Sequence, residues 1–190
     1  MLNLVIFGPP GAGKGTQSDR ITERYNLIHL STGDILRAEL AMQTPLGLQA
    51  KEYIDKGELV PDEVVIDMLG KTVDKHTESN GFIFDGFPRT IPQAEALDKL
   101  LEERGTSINA MISIEVEHDE LVKRLLNRGK DSGRSDDQDI SIIENRISVY
   151  HNETSPLKEF YSNQGKLLSI NGIGTIEDIF DRICTVADKL

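Results

Sequence analysis

The sequence predicts an α/β fold in three layers, with a central parallel sheet of about five strands between helices on both faces. Three observations predict it. Short apolar runs bounded by turn residues alternate with longer helix-like segments. The runs are predominantly apolar and do not alternate strictly with polar residues, as strands covered on both faces allow. A glycine-rich turn, Gly8-Pro-Pro-Gly-Ala-Gly, separates the first run from the segment that follows it. At 190 residues the chain suits one domain, 1–190, with a small insertion.

The first strand is predicted over Leu2 to Phe7 and the second over Ile28 to Leu30, with a helix between them. The stretch from Ser31 to Gly81 is longer than one crossover helix needs and is broken at Thr44-Pro45, Gly57 and Pro61. It reads as an inserted helical subdomain. Strands follow at Phe82 to Phe84 and Ala110 to Val116. The segment 128–137, Arg-Gly-Lys-Asp-Ser-Gly-Arg-Ser-Asp-Asp, is polar and lies between two helices; it reads as a solvated loop or a small mobile lid. Ile140, Ile143, Ile147 and Tyr150 form a helical stripe expected in the core, and Ser155-Pro156 should break that helix. The last strand spans Leu167 to Ile170. Thr175 and Asp178 then predict a capping box opening a final helix that turns Ile179, Ile183 and Val186 inward.

Composition narrows the function classes. Lys and Arg total 21 against 32 Asp and Glu, a net charge of -11, so no bulk basic surface serves nucleic acid or an anionic membrane. Any anionic ligand must be held by local groups. Cys184 is the one cysteine, which excludes an intrachain disulfide and a cysteine-rich zinc site and suits a reducing cytoplasm; it is expected to be a buried, inert thiol. The first run is too short for a secretory leader, and no stretch approaches the roughly 18 apolar residues of a membrane span.

Gly8 to Thr16, with strand before and helix after, matches the phosphate-loop pattern G-x-x-x-x-G-K. Phosphates need backbone N–H groups at close range, which glycines permit, and the helix N-terminus adds its positive dipole end. Lys14 supplies a full charge at the outer phosphates. The common pattern has Ser or Thr directly after the lysine; here Gly15 intervenes and Thr16 follows.

The form Gly-x-Pro-Gly-x-Gly-Lys-Gly-Thr resembles the nucleoside monophosphate kinases, and adenylate kinases in particular. Leu30 to Arg37, Gly57-Glu-Leu-Val-Pro61, Asp85-Gly-Phe-Pro-Arg89 with Gln93, and Arg124-Leu-Leu-Asn-Arg128 follow in that family's order and spacing. The resemblance runs over essentially the whole chain. It implies a P-loop NTPase fold with a monophosphate-binding segment at 31–60 and, from the small size of 128–137, the short-lid form without zinc.

The resemblance implies further that Gly11, Ala12, Gly13, Lys14, Gly15 and Thr16 hold the ATP phosphates, with Arg128 and Gly174 near the adenine. AMP would meet Thr32, Arg37, Glu58, Leu59, Val60, Gly86, Phe87, Pro88, Arg89 and Gln93. Arg134 and Arg146 would reach the reacting phosphates on lid closure, and Asp85 would orient magnesium, through water. ATP and AMP are the implied substrates, phosphoryl transfer giving two ADP the implied reaction, and a cytoplasmic monomer the implied form.

The chemistry that the resemblance implies can be followed through its charges. ATP and AMP together bring about six negative charges, of which magnesium offsets about two. Lys14, Arg37, Arg89, Arg128, Arg134 and Arg146, the catalytic set the resemblance implies, are six cations, five of them arginines from a chain with ten. Guanidinium forks suit bidentate phosphate contact. An AMP phosphate has its second pKa at about 6 and needs no general base, so His29, His76, His118 and His151 are given no catalytic role. Uridylate and cytidylate kinases share the phosphate loop and the lid. They tend to carry Ala and Asn where this chain has Thr32 and Gln93, so adenine is the expected base. A guanine-nucleotide switch is disfavoured because no Asn-Lys-x-Asp occurs.

Overall fold

A computed structural model describes residues 1–76 and 79–190. Residues 77 and 78, within the long insertion, lie outside the described residues. The five strands are β1 (Leu4–Phe7), β2 (Ile28–Ser31), β3 (Phe82–Asp85), β4 (Ala110–Glu115) and β5 (Leu167–Asn171). All pair in parallel in the order β2-β3-β1-β4-β5. The strand register sets Ile6 beside Asp85, so the carboxyl ends of β1 and β3 open side by side. Ligands of open parallel sheets bind at such ends, where the strand order reverses.

Successive residues of the strands point to opposite faces, and both faces are covered. Val5, Phe7, Phe82, Phe84 and Met111 join one core, with Val65, Met68 and Leu69 of α4 (Asp62–Val73), Leu97 and Leu101 of α5 (Ile91–Glu102), and Leu157 and Tyr161 of α8 (Leu157–Asn163). Leu4, Ile6, Ile83, Ile112 and Ile114 join the other. There they meet Ile21 of α1 (Lys14–Tyr25), Leu121 and Leu125 of α6 (His118–Ser132), Ile143 and Ile147 of α7 (Ile140–Val149), and Ile179 and Ile183 of α9 (Ile176–Ala187). The nearly unbroken apolar character of β1, β3 and most of β4 is explained by this two-sided burial, whereas the edge strand β5 leaves Ser169 and Asn171 exposed.

The insertion folds as α2 (Thr32–Ala41), α3 (Pro45–Ile54) and α4. Each of the first two has its cap: the Ser31 side chain accepts from Asp34 N, and the Thr44 side chain accepts from Gly47 N with Pro45 at the first helical position. The capping box at Thr175 and Asp178 forms reciprocally. Cys184 is buried.

Two expectations need correction. Ile140 is 57% exposed, because it is the first residue of α7 and sits above the core that Ile143 and Ile147 reach. The segment 128–137 is mostly regular structure: α6 continues through Ser132, Gly133 turns left-handed at φ 66°, and Ser135–Asp137 form a 3-10 turn. The break at Ser155-Pro156 is present. It takes the form of a π turn over Tyr150–Thr154, in which Ser155 N donates to Tyr150 O, and α8 follows from Leu157.

Candidate active site

The site is assembled at the carboxyl ends of β1 and β3. The chain leaves β1, turns through the glycine-rich loop and enters α1 from Gly13, whose φ of 92° is a left-handed conformation that disfavours a side chain. That turn aims the first N–H groups of α1 into a cleft. Lys14 follows immediately, and its ammonium donates to the carbonyls of Gly8 at 2.8 Å and Pro9 at 3.0 Å. Burial lowers its pKa to about 8; Asp85 opposes the shift, while Arg89, Arg146 and Arg128 add to it.

Asp85 ends β3 with its side chain 11% exposed. Its Oδ2 faces the phosphate loop, 3.7 Å from where a Cβ on Gly15 would stand. Behind it His29 Nε2 lies 3.5 Å from Oδ2, and His29 Nδ1 lies 3.2 Å from Asp19. Burial lowers the His29 pKa, but the carboxylates of Asp85, Asp19 and Asp34 together outweigh it and the net shift is upward. A hard carboxylate oxygen beside a phosphate loop fits magnesium, which takes most of its ligands from phosphate and water. Among the described residues no three His, Cys, Asp or Glu converge as a closed protein cage.

Two cavities meet here. The first is lined by Thr32, Leu59, Val60, Gly86, Pro88 and Gln93, with Glu58 at its wall. The second is lined by Gly11, Gly13, Gly15, Thr16, Asp85 and Arg128. Lys14, Arg37, Arg89, Arg134 and Arg146 line both, so five of the six expected cations stand on the wall the cavities share. Ala12, Phe87 and Gly174 line neither. Ala12 and Phe87 are buried in the frame, and Gly174 lies in the turn before α9. The peptide bond between Phe87 and Pro88 is cis.

The cations are held by partners. Arg37 reaches Asp34 at 2.5 Å, and Arg89 Nε donates to Gly86 O at 2.8 Å, a carbonyl that also accepts from Thr32 Oγ1 at 2.9 Å. Arg128 grips Asp137 with both prongs, at 2.6 and 3.0 Å, and Arg134 grips Asp136 likewise, at 3.1 and 2.8 Å. Arg146 Nη1 bridges the two carboxylates, 3.0 Å from Asp136 and 2.5 Å from Asp137. Burial alone would raise the Asp136 pKa; the Arg134 hydrogen bonds and the Arg146 charge reverse that and hold it at about 2.

Three arginines on two aspartates leave an excess of positive charge, pre-aimed at the cleft. Asp136, Asp137, Asp34 and Asp62 were not identified as site residues from sequence. The signal for the first two was present, acidic residues two and three positions after Arg134, but it is indistinguishable there from a solvated acidic loop.

Fold and site together define a phosphate-loop nucleotide-binding protein with two anion clefts that share one cationic wall. Comparison with known proteins makes this specific. The family model described as adenylate kinase matches residues 6–166. An adenylate kinase of Bacteroides thetaiotaomicron is 56% identical over 190 residues, covering all of both chains, and one of Bacteroides fragilis is 55% identical over the same span. One of Porphyromonas gingivalis is 49% identical over 189 residues, covering 100% of this chain and 97% of its own. The chain belongs to the adenylate kinase family.

Proposed function

We propose that this chain transfers the terminal phosphoryl group of magnesium-bound ATP to AMP, giving two ADP. The shared wall of Lys14, Arg37, Arg89, Arg134 and Arg146 is the observation that carries the reading, since a group passing between two clefts must cross it. The second cavity takes ATP, its phosphates on Gly11 to Thr16. The first takes AMP, with the base toward Thr32, Val60 and Gln93. An oxygen of the AMP phosphate attacks the γ-phosphorus, the bond to the β-bridging oxygen breaks, and its electron pair stays with the departing ADP.

Phosphoryl transfer needs alignment and charge compensation more than covalent help. Arginine forks already fixed by Asp136 and Asp137 supply both with little reorganisation. Asp85 would orient, through water, a magnesium ion brought in on the nucleotide, which would offset charge on the transferring phosphates, and the reading calls for no zinc. Residues 31–60 and 128–137 close over the substrates, which keeps water from the γ-phosphate. The protein acts as a monomer on the nucleotides of the cytoplasm.

A coupled assay of ADP formation from ATP with AMP, UMP or CMP tests the reading. AMP should be the preferred acceptor by a wide margin. Preference for UMP or CMP would replace the adenylate assignment with the pyrimidine one.

A further inference from the structure

Gln93 lines the first cavity with half of its amide already committed. The backbone N–H of Arg89 donates to Gln93 Oε1 at 2.8 Å, and Gln93 Nε2 donates to Asp62 Oδ1 at 2.7 Å. The other Asp62 oxygen accepts from the Thr90 hydroxyl at 2.9 Å, and that hydroxyl accepts from the Gln93 backbone N–H at 3.3 Å. Each end of the amide has one permitted direction, because a backbone N–H only donates and a carboxylate oxygen only accepts. Turned over, the amide would set its NH2 against the Arg89 N–H and its oxygen against the Asp62 carboxylate. With Gln93 only 2% exposed, water cannot relieve those two contacts.

An amide carries two lone pairs and two N–H donors, and this network uses one of each. One acceptor and one donor remain, in fixed positions. A 6-amino purine presents the complement, an N6–H donor beside the N1 acceptor. A 6-oxo purine presents the reverse, an O6 acceptor beside an N1–H donor. We infer that Asp62 is a specificity-determining positioning residue: through Gln93 Nε2 it locks the amide in the orientation that accepts 6-amino and rejects 6-oxo purine monophosphates. The inference rests on the assignment of AMP to the first cavity.

The test compares kcat/KM for AMP and for inosine monophosphate, together with the KM for ATP, in the unmodified enzyme and in Asp62→Ala, Asp62→Ser, Asp62→Asn and Gln93→Leu. The AMP-to-IMP ratio should fall about tenfold in the Ala and Ser variants. It should largely return in Asp62→Asn, whose amide oxygen can still accept from Gln93 Nε2. The KM for ATP should move less than about twofold throughout, since ATP lies in the other cavity. The ratio is internal to each preparation, so a loss of folded protein does not change it, and Asp62→Ser covers the case in which Asp62→Ala does not fold.

An unchanged ratio in the Ala and Ser variants, with Gln93→Leu still raising the KM for AMP, overturns the role of Asp62 and leaves the AMP site standing. An Asn variant as impaired as Ala overturns it too, by assigning the effect to charge. If Gln93→Leu leaves the KM for AMP untouched, the AMP site itself falls and the inference falls with it.

Discussion

On the proposed reading, single residues in this cleft do two kinds of work, carrying charge to the phosphates and holding that charge in place. Lys14 does the first. Lys14→Met should preserve the fold and lower kcat by orders of magnitude, because a full charge vanishes from beside the transferring phosphates; steady-state turnover beside a thermal melt checks this, and near-normal turnover would remove Lys14 from the outer phosphates. Asp136 does the second. Its folded pKa of about 2 lies below the ordinary carboxylate value, so its stabilisation is complete above about pH 4 and is lost as pH falls toward 2. The stake is about 2 kcal/mol. In urea unfolding, the advantage of the natural chain over Asp136→Asn should be full at pH 6 and shrink steadily below pH 4; an advantage independent of pH would mean that Asp136 acts by packing alone. The two kinds of residue differed in legibility. Lys14 belongs to a local motif that the sequence displays contiguously. Asp136 and Asp62 act through partners such as Arg146 and Gln93, ten and 31 positions away, and only the fold brings those together.

At the scale of elements, the turn joining α6 to α7 shows why a glycine can be misassigned from sequence. Polar, glycine-bearing sequence at 128–137 suggested loose chain, yet Gly129 lies within α6 and is there for close approach: a Cβ on it would stand 2.3 Å from the carbonyl oxygen of Asp137. Gly129→Ala must therefore push Asp137 away from Arg128 and Arg146. We expect a loss of about 1–3 kcal/mol in stability and a fall in kcat of more than about tenfold. The control is Gly70→Ala in α4, where the nearest atom to the new Cβ is Leu100 Cδ1 at 4.0 Å. That variant should gain about 0.5–1 kcal/mol, since a helical glycine gives way to a better helix former. Chemical denaturation of both variants checks the pair; equal behaviour would refute the close-packing account of Gly129. The strands and the last helix were legible because two-sided burial and a capping box leave local signatures. Packing of one turn against another leaves none.

For the molecule as a whole, the governing fact is a net charge of -11 on a chain whose cleft wall carries five cations. The overall charge repels anionic nucleotides at a distance, and the focused positive field of the cleft must overcome it at short range. The same overall charge strains the folded state through self-repulsion, whereas the ion pairs of Asp136 and Asp137 are buried and little exposed to screening. Added salt should then act on binding and stability with opposite sign. The screening length falls to about 10 Å at 0.1 M, which weakens the attraction of the open cleft for both substrates and also relieves repulsion among surface carboxylates. Between about 20 and 200 mM sodium chloride, kcat/KM for ATP and for AMP should fall several-fold while Tm rises by a few degrees. Parallel initial-rate and calorimetric titrations with salt measure both. If Tm and kcat/KM fell together, the buried arginine–aspartate cluster would itself be screened, and charge pairing in the turn between α6 and α7, rather than surface repulsion, would govern the stability of the fold.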